Sequence, residues 1–144
     1  MSLTTFAPIE TTLHTTDLWL WDLMEDLGWQ DRSRAYRALQ VVLHALRDRL
    51  PVEAVAALGS QLPLLVRGIY YEGWNPSRRP LQKSEKEDFL SQIAAAFGNN
   101  PEVDPERLAR AVFRVLKRYV TSGELRNEGL ILPPGIRVLW LVID

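Results

Sequence analysis

The chain contains no cysteine. That excludes disulfides, thiolate metal ligands and cysteine nucleophiles, and it fits a reducing compartment. Only two histidines are present, His14 and His44. Neither belongs to a helical Glu-x-x-His or His-x-x-x-His pair, so no metal is expected. No apolar run approaches the roughly 20 residues that cross a bilayer, so no membrane span is expected. Residues Met1 to Thr15 are Thr-rich and lack the basic start and apolar stretch of a secretory signal. The expected location is the cytoplasm. Charge of neither sign dominates: 17 Lys and Arg stand against 18 Asp and Glu, a formal net of −1. Such a chain has no overall attraction to nucleic acid or to an anionic membrane. There is no serine elbow and no glycine-rich loop that could cradle a phosphate. No catalytic residue and no cofactor are therefore assigned.

What is present is a repeat. The segment Leu62-Pro63-Leu64-Leu65-Val66-Arg67-Gly68-Ile69-Tyr70 returns 70 residues later as Leu132-Pro133-Pro134-Gly135-Ile136-Arg137-Val138-Leu139-Trp140. Leu, Pro, Arg, an aliphatic and an aromatic fall in the same places. With 144 residues and 47% hydrophobic content, the chain is expected to form one domain, 1–144, with a proper core. Within it we read an N-terminal arm (1–15), a first helical repeat (16–74), a linker (75–83) and a second helical repeat (84–144). The fold class is all-α: two pseudo-symmetric repeats of short helices packed as one bundle, their apolar stripes buried against each other.

The local signals fit this division. Thr16 or Asp17 can cap a first helix, whose apolar face is Leu20, Leu23, Met24 and Leu27, and Gly28 stops it. Ser84 to Glu87 reads as a capping box opening the counterpart, with Leu90, Ile93 and Phe97 as its face and Gly98 as its stop. A second helix begins at Asp31. Tyr36, Leu39, Val42, Leu43, Leu46 and Leu50 recur at steps of three and four, and Pro51 ends it. Its counterpart begins at Asp104 with Pro105 in the first turn, and Leu108, Val112, Val115, Leu116 and Tyr119 form its stripe. Here the offset is 73, because Asn99 to Val103 adds three residues to a loop. A third helix is expected from Val52 to about Gln61, and its partner region is Gly123 to Ile131. A fourth starts at Pro63, with Pro133 or Pro134 as its equivalent. The run Val138 to Ile143 is apolar and partly β-branched enough to be a strand, but the repeat assigns it to a helix.

Several segments carry a further signal. Trp29-Gln30-Asp31-Arg32, Ala35-Tyr36-Arg37-Ala38-Leu39 and Leu43-His44-Ala45-Leu46-Arg47-Asp48-Arg49-Leu50-Pro51 are three of them. Gln61-Leu62-Pro63 and Arg67-Gly68-Ile69-Tyr70-Tyr71-Glu72-Gly73-Trp74 are two more. Together they resemble the bacterial domain-of-unknown-function 2267 family. Gly123-Glu124-Leu125 and Leu132-Pro133 are similar to it as well. The resemblance implies a small, mainly helical, cytoplasmic bacterial protein. It implies no activity and carries over no catalytic residue.

The leading site candidate is Tyr71, Glu72 and Trp74, where the repeat loses its match. A carboxylate among aromatics can hold a cation or anchor a partner. The structural alternative is that Gly73 caps the helix and Trp74 packs back over its end. Arg67 and Arg137 are equivalent, and a repeated arginine points to a carboxylate or carbonyl at the interface between copies. His44, four residues before Asp48, reads as structural because its counterpart is Lys117. Arg32, Arg34, Arg37, Arg47 and Arg49, with Arg107, Arg110, Arg114, Lys117 and Arg118, make two basic helices, read first as solvated faces. Four of the five tryptophans precede residue 75. These observations rank a non-enzymatic protein-interaction or regulatory module first, with Trp74, Tyr71 and Trp29 exposed. Its partner is another protein or a second copy. A small-ligand or enzymatic pocket between repeats, lined by Glu72, Tyr71 and Arg67, ranks second. Nucleic-acid binding by the basic helices ranks third.

Overall fold

The computed structural model describes residues 6–82, 85–120 and 132–141. They form seven helices and, among the described residues, no strand. In chain order these are α1 (Ala7–Leu27), α2 (Arg32–Arg47), α3 (Val52–Gly59), α4 (Leu64–Tyr71), α5 (Lys86–Ala96), α6 (Pro105–Tyr119) and α7 (Pro134–Leu141). The expected partner helix around Gly123 to Ile131 lies outside the described residues.

The helix ends follow the predicted chemistry in most places. Asp31 caps α2 by accepting from the Ser33 amide, and Asp104 caps α6 by accepting from the amides of Glu106 and Arg107. These bonds satisfy donors that the first helical turn leaves without partners. Gly28 closes α1 in the left-handed conformation, and Gly98 takes the same conformation just past α5. The terminal segment is helical as far as Leu141, which decides the helix-or-strand question for 138–141.

Three expectations are corrected. First, α1 begins at Ala7, not at Thr16 or Asp17, so most of the predicted arm is helix. Pro8 presets the first turn, and the Thr-rich stretch is held by tertiary contact. Thr16 Oγ1 donates back to the Thr12 carbonyl at 2.7 Å, and Thr12 Oγ1 accepts from the Leu65 amide at 2.8 Å. Thr12 thus caps α4 from another helix, which offsets the few tenths of a kcal/mol a threonine loses in a helix. Second, α2 ends at Arg47, and Pro51 is the residue before α3 rather than the end of α2. Third, Tyr36 is exposed, whereas Leu39, Val42, Leu43, Leu46 and Leu50 are buried. Helix α5 starts at Lys86 after Glu85, whose side chain makes no capping bond; Ser84, which opens the expected capping box, lies outside the described residues.

The core lies where α2 and α6 meet the other helices. Helix α1 packs on α6, α2 and α4; α5 packs on α2, α6 and α7; α3 packs on α4. Trp19 of α1 stacks on Tyr119 of α6, with ring centroids 5.6 Å apart. Phe89, Phe113 and Trp140 continue as a second aromatic row joining α5, α6 and α7. Acidic residues on α1 meet the basic ones of α6: Arg114 reaches Asp26 at 2.6 Å, Arg118 reaches Asp22 at 2.8 Å, and Arg107 donates to the Asp26 carbonyl. These pairs are partly exposed and stabilise little. They do divide the α6 basic face among carboxylates, which counts against an open positive stripe for nucleic acid.

Candidate functional site

The end of α4 is held by α2. A helix leaves its last carbonyls without intrahelical donors. His44 Nε2 donates to the Ile69 carbonyl at 2.6 Å, which fixes the proton on that nitrogen. Arg47 Nη1 donates to the carbonyls of Tyr70 and Glu72, each at 2.8 Å. The Arg47 side chain is only 5% exposed, and Asp48 balances its charge at 2.9 Å. So one buried guanidinium closes a helix end. His44 is structural, as expected, but its partner is a carbonyl of α4 rather than Asp48.

The predicted residues fall in different places. Arg67 donates through Nε to the Gly59 carbonyl at 2.9 Å and through Nη2 to the Leu62 carbonyl at 3.0 Å. It therefore closes the end of α3 within the first half of the chain. The carbonyl partner matches expectation; the interface between copies does not. Arg137 makes the corresponding bond, Nη2 to the Leu132 carbonyl, at 2.9 Å.

Tyr71 is half-buried, with its ring over Gly59, where a Cβ would lie 2.7 Å from Tyr71 Cζ. Gly73 is left-handed, the Trp74 amide donates to the Tyr71 carbonyl, and the Trp74 ring packs on Tyr71 at 5.4 Å. The packing alternative therefore describes these aromatics. Trp29 is also half-buried, beside Phe97, with the Arg34 guanidinium 4.2 Å over its ring. An exposed patch of Trp74, Tyr71 and Trp29 is not what forms, because each ring has a neighbour to cover. Glu72 is exposed and accepts from Gln40 Nε2 at 2.9 Å.

Two concavities border this region. A groove of about 400 Å³ runs between α1 and α4, lined by Thr12, Leu13, Tyr36, Leu64, Leu65, Gly68, Ile69 and Glu72. A cavity of about 300 Å³ lies between the ends of α2 and α4, residues 75–81 and Gln92 of α5. Glu72 lines the first and Trp74 the second. Arg67, Tyr71 and Trp29 line neither, so the expected pocket of Glu72, Tyr71 and Arg67 does not assemble. Among the described residues, no group of three or more His, Asp or Glu is placed to hold a metal ion.

Sequence reasoning underused two features. In sequence Arg47 reads as one of the basic residues of α2. Yet it stands four residues after Leu43 and three before Leu50, on the buried stripe, and that spacing was the available signal. The apolar spacing of Ile9 and Leu13 in the arm was the signal for the groove.

Burial also shifts the titration of Tyr70. Tyr70 is fully buried and donates to the Val55 carbonyl at 2.9 Å. Desolvation pushes its phenol well above the ordinary range, with the neighbouring Tyr71 adding to this and Arg47 opposing it. The folded state thus holds the phenolic proton more tightly than the unfolded state does. The stabilisation is complete below the ordinary tyrosine pKa of about 10 and is lost as pH rises above it. In alkaline denaturation, Tyr70→Phe should flatten this fall. An unchanged slope would show that Tyr70 is not the group responsible.

No helix of the described residues is long and apolar enough to cross a membrane. No curated protein matches the chain. The model of a family described as an uncharacterised conserved protein, domain of unknown function 2267, matches residues 16–139, from the middle of α1 to the last turn of α7. The segments from Trp29 to Trp74 that build α2, α4 and the closure at Arg47 all lie inside that span, and the chain belongs to this family.

Proposed function

We propose that the protein is a non-enzymatic interaction module that docks an amphipathic helix of another protein into the groove between α1 and α4. One observation carries this reading: the apolar lining of that groove is open to solvent. Leu64 is 63% exposed, and Leu13, Leu65 and Tyr36 are exposed beside it. Ile9 stands one turn back on the same face of α1 and is exposed too, as is Phe6, the residue that precedes the helix. A single exposed leucine needs no explanation, but a run of them along two neighbouring helices does. Such a surface suits a partner helix that inserts residues at three- and four-residue steps. Glu72 on the rim suits a basic residue at the edge of the partner's stripe.

The test is affinity capture from the source cell with wild type beside a Leu13→Asp, Leu65→Asp variant. The variant must first match the wild-type circular dichroism and melting temperature. A protein held by wild type and lost by the variant is the expected result. Sedimentation of the purified chain separates the other occupant: a dimer abolished by the variant would make the partner a second copy. Equal capture by both forms would remove the groove from the account.

We also infer that the chain is a tandem of two related helical units, 16–74 and 84–144. Arg67 and Arg137 each bond the carbonyl five residues before them, and Tyr70 and Trp140 are both buried. The first helix of each half packs on the second helix of the other, α1 on α6 and α5 on α2. A cytoplasmic, bacterial setting fits the family resemblance and the cysteine-free composition.

A further inference from the structure

We propose that the cavity between α2, the 75–81 connector and α5 binds a small organic anion: a phosphate or carboxylate carried on an aromatic or aliphatic body. This site is separate from the α1–α4 groove and does not rest on it.

The charge argument comes first. Three guanidiniums, Arg47, Arg78 and Arg79, and one carboxylate, Asp48, line the cavity, so its walls carry a net of two positive charges. The whole chain carries −1. Arg47 and Asp48 satisfy each other. Arg78 and Arg79 do not join them. Every other arginine among the described residues has a carboxylate, a carbonyl, an amide oxygen or an aromatic ring as partner. These two have none among the described residues, and both lie in the wall of one concavity. A planar guanidinium matches an oxyanion with two parallel donors, and a concave site with low-dielectric walls strengthens the attraction.

The remaining walls set the ligand's body. Leu50, Val52, Leu81 and the half-buried Trp74 supply apolar and aromatic surface. Gln92 turns its amide oxygen to Arg49 at 2.6 Å, which leaves its N–H groups as further donors. A volume of about 300 Å³ is at the lower end for small-molecule sites. The connector that brings the two arginines is tied down. The Leu81 amide donates to the Asp48 carbonyl at 2.8 Å, and Asn75 closes a turn onto Ser77 and Arg78. The backbone that carries the two arginines is therefore fixed before a ligand arrives, which lowers the cost of binding.

The probe is phenyl phosphate, followed by the indole N–H signal of Trp74 in nitrogen–proton spectra and assigned with Trp74→Phe. Phenol and inorganic phosphate serve as the body alone and the charge alone. The expected result is a saturable shift of the Trp74 signal with phenyl phosphate, weakened by added salt. In Arg78→Gln, Arg79→Gln the affinity should fall by about tenfold or more, as should that of either half-ligand. Both arginines are exposed, so the variant should keep the wild-type melting temperature. The Leu13→Asp, Leu65→Asp variant should bind phenyl phosphate as wild type does. No saturable shift into the millimolar range would overturn the proposal. So would equal affinity in the double Gln variant, or loss of binding in the groove variant instead.

Discussion

Trp140→Ala should destabilise the protein by about 3–5 kcal/mol, measured by equilibrium urea denaturation. Trp140 is fully buried, and its ring centroid lies 5.5 Å from that of Phe113. Phe113 in turn stacks on Phe89 at 6.1 Å. The indole therefore ties α7 to both α5 and α6. Lys117 adds a second attachment: its ammonium lies 5.3 Å over the ring and donates to the Trp140 carbonyl at 3.2 Å. Removing the ring leaves a cavity among residues that are already well packed, and only partial collapse can fill it. Domains of this size are stable by about 5–15 kcal/mol, so the loss is a large share of the total. A loss below about 1 kcal/mol would mean that α7 contributes little to the core and that the aromatic row does not hold the fold together.

Arg47→Met should cost about 3 kcal/mol or more, for a different reason. Methionine fills much of the volume but donates nothing. The carbonyls of Tyr70 and Glu72 would lose their donor in a region the guanidinium had sealed from water, at about 1–3 kcal/mol for each unsatisfied group. Asp48 would lose its partner as well, though it is partly exposed and can rehydrate. Arg47→Lys should recover only part of the loss, because one ammonium cannot span the two carbonyls and the carboxylate as the fork does. Equal stability of the Lys variant and wild type would show that charge alone suffices. Because Arg47 also borders the cavity, its variants report stability and not ligand contact.

How much of this was legible follows from which forces decide each element. The stripes of α2 and α6 could be read directly, because burial at steps of three and four leaves little freedom in where a residue sits. Asp31 and Asp104 were legible as caps because the cap bond is local, formed within three residues. The start of α1 was not, because the device that holds its first turns joins Thr12 to Leu65, 53 residues away. The site residues divided in the same way. Arg67 was singled out by its repetition, and its carbonyl partners follow from its place beside a helix end. Breaking the repeat makes Trp74 and Tyr71 look like a surface in sequence. Gly73 and Gly59 fold them onto the protein instead, and the second of those glycines is distant in sequence from the tyrosine it accommodates. The groove is only half legible: the spacing of Ile9 and Leu13 marks its α1 wall, but its other wall comes from α4, far along the chain, and no local pattern joins the two.

The central claim is that the α1–α4 groove is where the protein meets a partner. The most direct measurement is photo-crosslinking in the source cell from a reactive residue placed at Leu65. A second placed at Glu102, beside Leu27 at the far end of α1, serves as the control. The account predicts one dominant adduct from position 65, mapping to an amphipathic helix of a partner protein, and none from position 102. Adducts of the same yield and identity from both positions, or none from position 65, would contradict it.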